Sequence, residues 1–311
     1  MDKVFVVILN WNGVSDTIEC LNSIRELSII NYQLSIIVVD NASSDGSLEE
    51  IERVLKRVTK EKRISSELIK NKENLGFAAG NNTGIKHALK HEADFILLLN
   101  NDTLVDRGLV TGLLTSVKKY PKAGLISPKI YFAKGFEFHK KRYKKDKLGK
   151  VIWYAGGDID WRNVYGVNHG VDKVDKGQFA KVQETDFATG ACVFLRAKAL
   201  REVGVFKKKY FMYFEDVDLS QRMKRKGWQV LYSPKGHLWH KVAQSSGIGS
   251  ELNDYFITRN RMLIGLKYAP FRSKLALIKE SVRLLNSGRK WQKLGVRDFY
   301  LGRFGKGSWK Q

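Results

Sequence analysis

The sequence predicts an α/β fold in which a mixed, mainly parallel β-sheet carries helices on both faces. Runs of consecutive apolar residues, such as 4–9 and 95–99, are typical of strands that are buried on both sides. Segments with apolar residues at helical spacing separate these runs, as at 15–27 and 109–119. This alternation indicates a parallel sheet, because each connection between parallel strands must cross one face of it.

The predicted elements follow one another in a regular order through most of the chain. The second strand ends in the turn formers of residues 40–46, and the Gly/Asn-rich residues 74–82 are predicted as a loop that opens a helix. The residues after 285 are predicted to end in a loosely ordered tail. The predicted strands are 4–9, 34–39, 68–70, 95–99, 124–127, 151–154, 190–196 and 228–233. The predicted helices are 15–27, 47–58, 83–89, 109–119, 197–203, 216–226 and 252–285.

Composition and charge divide the chain into three predicted parts, which are residues 1–128, 129–250 and 251–311. The formal net charge is +23, yet the first 120 residues hold 15 basic and 16 acidic side chains. A basic insertion rich in Gly, Lys and aromatic residues is predicted at 129–182, and the last part is predicted to be helical and basic, with a net charge of +10. Such a surface suits an anionic partner, and a merely soluble basic face is the alternative.

Other classes of protein are disfavoured by composition. No apolar run approaches the roughly 18 residues of a membrane-spanning helix. The N-terminus has no basic leader or cleavage site, so we expect no secretory signal. Cys20 and Cys192 are too few for a disulfide framework or a zinc knuckle, and two reduced thiols in a cytosolic protein are expected.

Polar residues collect at the carboxyl ends of the first four predicted strands, where open α/β sheets bind their ligands. There is no dinucleotide fingerprint and no P-loop sequence. Asp40 is suited to accept hydrogen bonds from a ribose or a base, and Asp102 offers an oxygen ligand to a hard cation such as Mg²⁺ or Mn²⁺. A single strand-end aspartate is usually only a helix cap, but four strands ending in this way favour a binding site.

Three carboxylates at the start of a predicted helix form a second candidate site. Glu215, Asp216 and Asp218 follow an aromatic cluster at 210–214. Desolvation by the rings and mutual repulsion are expected to raise the pKa of at least one of them, as a general base requires, and Arg222 is placed to hold another ionised. An acidic first turn that matches the helix dipole is the structural alternative.

Two histidines, His237 and His240, follow the predicted strand at 228–233. Histidine at a strand end can bind a metal or a phosphate. A structural or solvated role is the more frequent one for two nearby histidines.

Four motifs in order resemble those of family 2 glycosyltransferases, which have the GT-A fold, and are most similar to the rhamnosyltransferase-like branch. They are Val6-Val-Ile-Leu-Asn-Trp-Asn-Gly13, Val38-Val-Asp-Asn-Ala-Ser-Ser-Asp-Gly-Ser47, Asn74-Leu-Gly-Phe-Ala-Ala-Gly-Asn-Asn-Thr-Gly-Ile85 and Leu97-Leu-Leu-Asn-Asn-Asp-Thr103. Thr189-Gly-Ala191, Glu215-Asp216 and His240 continue the series, so that the resemblance spans about residues 4–262.

The resemblance implies inverting transfer of a sugar, with rhamnose as the leading expectation, from a dTDP- or UDP-sugar to a glycan or lipid-linked glycan acceptor in polysaccharide synthesis. Residues 1–128 would be the donor-binding half and 129–250 the acceptor-binding and catalytic half. Asp216 would be the general base with Glu215 beside it, and Asp102 and His240 would hold Mg²⁺ or Mn²⁺. The implied donor-binding residues are Asn10, Asn12, Asp40, Asn41, Ser43, Asp45, Gly76, Asn81, Asn101 and Asp102. The implied acceptor-side residues are Gly190, Ala191, Asp218 and Arg222. Asn100 occupies the first position of the family's Asp-x-Asp metal motif, which leaves Asp102 as its carboxylate.

The basic C-terminal part is expected to contact an anionic membrane from the cytoplasmic side, and a basic cap that completes the core is the alternative. Its apolar candidates are Leu263, Ile264, Leu266, Leu275, Leu277, Ile278 and Leu284. Two other function classes stay open, namely a nucleotidyltransferase on a similar sheet and a basic nucleic-acid-binding protein. The sequence lacks a helix-turn-helix, RNP or zinc signature, so no nucleic acid partner is expected.

Overall fold

The computed structural model describes residues 1–62, 64–242 and 250–310. The three predicted parts also include residues 63, 243–249 and 311, which lie outside the described residues. The strands are β1 Asp2–Asn10, β2 Tyr32–Asp40, β3 Ser65–Lys70, β4 Phe95–Asn100, β5 Thr103–Val105, β6 Ala123–Phe132, β7 Ile152–Tyr154, β8 Gly157–Asp160, β9 Tyr165–Asn168, β10 Gln183–Glu184, β11 Cys192–Arg196 and β12 Gln229–His240. The helices are α1 Val14–Ile24, α2 Ser47–Lys62, α3 Gly76–Lys90, α4 Leu109–Lys119, α5 Ala197–Val203, α6 Glu215–Arg225, α7 Glu251–Tyr268, α8 Phe271–Ser287 and α9 Lys290–Tyr300.

One mixed sheet runs through both the first and the second predicted parts, in the order β10-β12-β6-β11-β4-β1-β2-β3. The strands β3, β2, β1 and β4 are parallel, as the alternation of strand and helix predicts. The strand β11 is antiparallel to both β4 and β6, whereas β12 is parallel to β6. The predicted α/β architecture is therefore confirmed.

Helices cover both faces of this sheet because alternate strand residues point to opposite sides. On one face, Val6 and Ile8 of β1 pack with buried residues of α1, α2 and α4. On the other face, Phe5 and Val7 pack with buried residues of α3, α5 and α6. Cys192 of β11 and Cys20 of α1 are buried free thiols, and burial raises the pKa of Cys20 to about 12.

The Gly/Asn-rich segment 74–82 is mostly helical, so its prediction as a loop is wrong. The helix α3 begins at Gly76 because its small residues let it lie close to the sheet. A Cβ on Gly84 would lie 2.5 Å from Val7 Cγ1, and one on Gly80 would lie 2.8 Å from Leu9 Cδ1. Glycine at these positions thus serves helix–sheet packing, and two turns of helix form where turn formers predict irregular structure.

Two predicted boundaries in the second part are also wrong. The strand β6 continues through residue 128 to Phe132 in the second part, whereas its predicted end is residue 127. The strand β12 extends to His240, so both His237 and His240 lie within the strand. The register shift between Ser233 and His237 carries β12 past the end of its predicted apolar run without ending the ladder.

The predicted C-terminal helix is two helices, α7 and α8, which are separated at Pro270. A third helix, α9, follows, and Trp309 is buried among aromatic residues of α7. The prediction of a loosely ordered tail is therefore wrong, because its glycines allow a compact turn against α7. Within the described residues, none of the helices has the length and apolar character that crossing a bilayer requires.

Candidate active site

Two adjoining cavities open at the carboxyl ends of β1, β2 and β4. Their volumes are about 270 Å³ for the first cavity and about 330 Å³ for the second cavity. Phe77, Asn100, Asp102 and Met212 line both of them. The two cavities are therefore halves of one cleft, with Asp102 on the wall between them.

Asp102 and Asp216 meet in the second cavity although 113 residues separate them in the sequence. Gly190 and Ala191 line the same cavity, at the entrance to β11. Residues that the resemblance assigns to metal binding, to the acceptor side and to catalysis therefore line one cavity.

Strand pairing brings His240 to Asp102. The short strand β5 pairs antiparallel with the end of β12, so that His240 lies opposite Thr103, and Lys241 N donates a hydrogen bond to Asp102 O. His240 Nε2 lies 3.0 Å from Asp102 Oδ1, and both side chains are largely buried. Trp153 of β7 packs edge-on against the imidazole, with 4.7 Å between ring centroids. The ring of His240 therefore has one fixed orientation on the cavity wall.

The adjacent carboxyl groups of Glu215, which is buried, and Asp216, which is half-buried, lie at the first turn of α6. Asp216 Oδ2 accepts a hydrogen bond of 3.0 Å from the backbone N–H of Gly190, and Oδ1 accepts one from Val217 N. Burial raises the pKa of Asp216, although these donors lower it. Burial raises the pKa of Glu215 well above its usual value, and the charge of Asp216 raises it further. Glu215 Oε2 has no hydrogen-bond partner among the described residues.

The loop that leads into α6 is strained, and α7 holds it in place. Left-handed backbone angles occur at Phe211, Tyr213 and Phe214, with φ of 65°, 66° and 69°. Such angles are unfavourable for aromatic residues and persist only where surrounding contacts impose them. Asn260 Nδ2 of α7 donates to the backbone oxygens of Tyr210, Met212 and Tyr213, at 2.8, 2.7 and 3.0 Å. One buried side chain thus fixes the loop that delivers Glu215 and Asp216 to the cleft.

The ten predicted donor-binding residues fall into two groups. Four of them line the first cavity, namely Asn41, Gly76, Asn101 and Asp102. The other six, Asn10, Asn12, Asp40, Ser43, Asp45 and Asn81, are not on its wall. Gly76 requires its glycine because φ is +75° and a Cβ there would lie 2.5 Å from the ring of Phe211.

The residues behind the wall hold the strand ends together. Asn10 Nδ2 donates 2.9 Å to Asp40 Oδ1 and 3.0 Å to Ser43 Oγ, and Asp40 Oδ2 accepts from Ser43 N. Asn12 accepts from Ser44 N in the same network. Asp40 is buried, and contact between its carboxylate and a ligand stays a prediction. Asp45 bonds to Ser47 at the start of α2, and Asn81 bonds to Phe77 O within α3.

Asp218 and Arg222, predicted on the acceptor side, lie outside the cleft. Asp218 is fully buried and accepts hydrogen bonds from Lys267 Nζ at 2.8 Å and Arg222 Nε at 2.7 Å. Burial opposes its ionisation, but these two cations lower its pKa below the usual value. The remaining guanidinium donors of Arg222 bind backbone oxygens of 203–205. Asp218 therefore anchors α6 to α7 through Lys267, and Arg222 holds the backbone at the end of α5.

The family model described as Glycosyl transferase family 2 matches residues 5–204 of the chain. The chain belongs to this family. It is therefore a glycosyltransferase, as its ordered motifs predict.

Two curated relatives resemble this glycosyltransferase over most of its length. The Mycobacterium tuberculosis N-acetylglucosaminyl-diphospho-decaprenol L-rhamnosyltransferase is 24% identical over 222 residues, which cover 69% of this chain and 68% of the relative. The Staphylococcus aureus poly-beta-1,6-N-acetyl-D-glucosamine synthase is 25% identical over 236 residues, which cover 75% of this chain. The match spans 48% of that synthase, about half of its length.

Solved structures share the fold. GalNAc-T7 with UDP, GalNAc and Mn²⁺ superimposes with a TM-score of 0.60 at 15% identity, over 90% of this glycosyltransferase and 55% of that chain. The mannosyltransferase PcManGT of Pyrobaculum calidifontis, in complex with GDP-Man and Mn²⁺, gives a TM-score of 0.53 at 15% identity, over 99% and 76% of the two chains. The predicted GT-A fold is confirmed by these likenesses.

The protein ligands at Asp102 suit a divalent cation whose other ligands are substrate phosphates and water. Asp102 supplies carboxylate oxygen and His240 an imidazole, and His240 Nδ1 is buried without a hydrogen-bond partner in the described parts of the chain. No cluster of three or more His, Cys, Asp or Glu side chains suited to a metal occurs within residues 1–62, 64–242 and 250–310. Mg²⁺ commonly binds through one or two carboxylates together with substrate phosphates and water.

Several cleft residues were not among the predicted site residues. Trp11, Phe77 and Met212 lie within the motifs or the aromatic cluster, whose apolar side chains carry no chemical signal of their own. Lys306 and Trp309 also line the first cavity. They lie far beyond the family match, and no pattern in the sequence links them to the site.

Replacing Glu215 tests its buried environment. Its pKa is raised in the folded state, so its contribution to stability is present below the unfolded-state pKa and is lost as the pH rises through the folded-state pKa. The Glu215→Gln variant has no carboxyl to ionise. We therefore expect its free energy of unfolding, relative to wild type, to increase with pH in that window, as measured by urea denaturation at a series of pH values. Glu49→Gln, at an exposed position in the first turn of α2, is the matched control. Parallel pH profiles for wild type and Glu215→Gln would contradict the assigned environment.

Proposed function

We propose that this glycosyltransferase moves a sugar with inversion from a nucleoside-diphosphate sugar to a hydroxyl of a glycan acceptor. The donor nucleotide would occupy the first cavity, and the acceptor would enter the second cavity. Asp216 would be the general base, and Asp102 with His240 would hold a divalent cation on the diphosphate. The observation that carries the proposal is the cleft itself, in which Asp102 lies between the two cavities and Asp216 lies in the second.

The arrangement meets the chemical demands of inversion. The acceptor oxygen must attack the anomeric carbon from the face opposite the leaving diphosphate, so that base and diphosphate site belong on different walls. As the new C–O bond forms, the bond to the phosphate oxygen breaks with its electron pair, and the acceptor proton passes to Asp216. The raised pKa of Asp216 makes it a stronger base than an ordinary aspartate.

Neighbouring side chains would assist each of these groups. The N–H of Gly190 orients the Asp216 carboxylate through the 3.0 Å hydrogen bond. Burial raises the pKa of Glu215, and the charge of the adjoining Asp216 raises it further, which favours the protonated form of Glu215 beside the base. A cation bound at Asp102 and His240 would offset the negative charge of the departing diphosphate.

The identity of the substrates is supported by the relatives. The M. tuberculosis relative is named as an L-rhamnosyltransferase that acts on a lipid-diphosphate-linked sugar. By that likeness we propose rhamnose from a dTDP- or UDP-sugar and a lipid-linked glycan acceptor, in polysaccharide synthesis at the cytoplasmic face of a membrane. A nucleotidyltransferase would instead join a sugar 1-phosphate to a nucleoside triphosphate, and assay with that pair distinguishes the two activities.

Asp216→Asn tests the general base. The amide cannot accept the proton, so transfer should fall by at least about 100-fold, the lower range for loss of general-base catalysis. Nucleoside-diphosphate binding should stay within about twofold of wild type, because removing a transition-state interaction leaves ground-state binding intact. Product formation and calorimetric titration measure the two quantities. Asp146→Asn, an exposed aspartate in the insertion, is the matched control. Parallel loss of binding and turnover would argue against the base role.

Asp102→Asn tests the cation site, with Asp106→Asn as its control. The chain offers a matched pair because His237 Nε2 lies 3.7 Å from Asp106 outside the cleft, whereas His240 Nε2 lies 3.0 Å from Asp102 within it. Asp102→Asn should weaken Mn²⁺-dependent UDP binding by about tenfold, which corresponds to about 1.4 kcal/mol. Asp106→Asn should leave it unchanged. Equal stimulation of UDP binding by Mn²⁺ in wild type and Asp102→Asn would exclude this site.

We also propose that α8 contacts an anionic membrane surface. Its exposed apolar residues recur at alternating spacings of four and three, which gives one stripe along the helix. They are Phe271, Leu275, Ile278, Val282 and Leu285. Leu263, Ile264 and Leu277, also expected at a membrane, are buried in the core instead, because they lie on the inward faces of α7 and α8.

The charges beside the stripe favour a lipid surface over a second copy of the chain. At 100° per residue, Arg272, Lys279 and Arg283 follow one side of the stripe and Lys274 follows the other. Two such helices would repel each other, since both flanks are basic. An anionic bilayer would attract the same residues while the apolar side chains enter its interface.

Vesicle co-sedimentation with Leu275→Ser tests this surface. Leu275 would become buried when α8 enters the bilayer interface, and burying a leucine side chain stabilises by about 1.5–3 kcal/mol. Its replacement by serine should therefore weaken binding to phosphatidylglycerol vesicles by at least about tenfold. Phosphatidylcholine vesicles should bind weakly in either case. Ile30→Ser, exposed to a similar degree but outside α8, is the control. Equal binding of wild type and Leu275→Ser, with no difference between the two kinds of vesicle, would exclude the proposal. A change in oligomeric state between wild type and Leu275→Ser, measured by light scattering, would favour a second copy of the chain instead.

A further inference from the structure

The C-terminal segment 305–309 forms part of the wall of the first cavity. Lys306 and Trp309 line it together with Trp11, Asn74 and Asp102. The family match ends at residue 204, so this segment lies outside the part of the chain that the family model describes. Its presence at the cavity needs its own explanation.

The segment is held there by buried polar groups of α7 and α9. Arg259 Nη1 of α7 donates 2.7 Å to Gly305 O, and Gly305 N donates 2.9 Å to Lys209 O. Asp298 of α9 accepts from Ser308 N at 2.7 Å and from Ser308 Oγ at 3.0 Å. Both Arg259 and Asp298 are fully buried. The segment is therefore built into the protein at a defined position.

Close packing reinforces these bonds. Gly307 has φ of +57°, and a Cβ there would lie 2.2 Å from the hydroxyl oxygen of Tyr255. Trp309 is buried against Tyr255, Phe256 and Trp291, with centroid distances of 5.9, 5.9 and 4.5 Å. Lys306 directly precedes Gly307, and its side chain is exposed and forms no ion pair with any described residue. Its ammonium group is thus available to a ligand.

Lys306 brings positive charge to the wall of the first cavity. Of the described residues that line this cavity, only Asp102 and Lys306 are charged. A diphosphate beside Asp102 meets a negative carboxylate, and a lysine ammonium on the same wall offsets that repulsion. Asn100 on the same wall is uncharged, so Asp102 is the one carboxylate among the described lining residues.

We propose that Lys306 binds the diphosphate of the donor nucleotide as a charge-assisted hydrogen-bond donor. The proposal rests on the proposed function, because it assigns the first cavity to a nucleoside diphosphate. Lys306 adds positive charge at the phosphate oxygens as the sugar departs. The segment 305–309 therefore completes the proposed donor site, although it lies outside the matched family segment.

Lys306→Met tests the proposal with UDP, dTDP and the corresponding nucleosides as ligands in calorimetric titrations. Loss of one charge-assisted contact should weaken binding of the nucleoside diphosphates by about tenfold. Uridine and thymidine, which lack phosphates, should bind as in wild type. Lys306→Arg keeps the charge and should restore diphosphate binding to within about threefold. Lys310→Met, at an exposed position one residue beyond the segment and off the cavity wall, should behave as wild type.

The outcomes separate this inference from the proposed function. If wild type binds the diphosphates and Lys306→Met binds them equally well, the role of Lys306 is overturned while the function stands. Equal losses for nucleosides and diphosphates would also overturn it, since they indicate a distorted wall. If wild type binds no nucleoside diphosphate, with or without Mn²⁺, both proposals fall. A loss confined to the diphosphates and restored by arginine supports the inference.

Discussion

The antiparallel pairing of β5 with the end of β12 is the contact on which the candidate site depends. In the main order of the sheet, β6 and β11 separate β12, which carries His240, from β4, which precedes Asp102. The pairing sets His240 opposite Thr103 and so creates the Asp102–His240 pair. It also joins the wall of the first cavity to the second, because Asp102 lines both.

The acidic side of the cleft combines two unfavourable features that the surrounding structure must offset. Glu215 and Asp216 are desolvated side by side, and the loop before them contains three aromatic residues with left-handed backbone angles. Asn260 of α7 compensates by binding three backbone oxygens of that loop. Functional sites often retain such strain, which the rest of the fold supports. In this protein the support comes from a helix outside the matched family segment.

The sequence was informative where local pattern and chemistry agree. Buried runs predicted the parallel strands, and the strand-end aspartate and the acidic helix start identified Asp102 and Asp216. It failed where tertiary packing overrides local preference, as in α3, whose glycines fit against Val7 and Leu9. Asp218 looked the same as Asp216 in the sequence, and only the positions of Lys267 and Arg222 make it structural. Lys306 could not be found at all, because its position depends on buried contacts of Arg259 and Asp298.

The continuous sheet has a consequence for engineering this enzyme. Because β11 lies between β4 and β6, hydrogen bonds tie the first and second parts of the chain into one ladder. A chimaera joined at residue 128 would place its junction within β6, so that one strand from two parents would have to pair with both β11 and β12. Any exchange of chain segments with a homologue therefore has to keep the β4-β11-β6-β12 ladder intact.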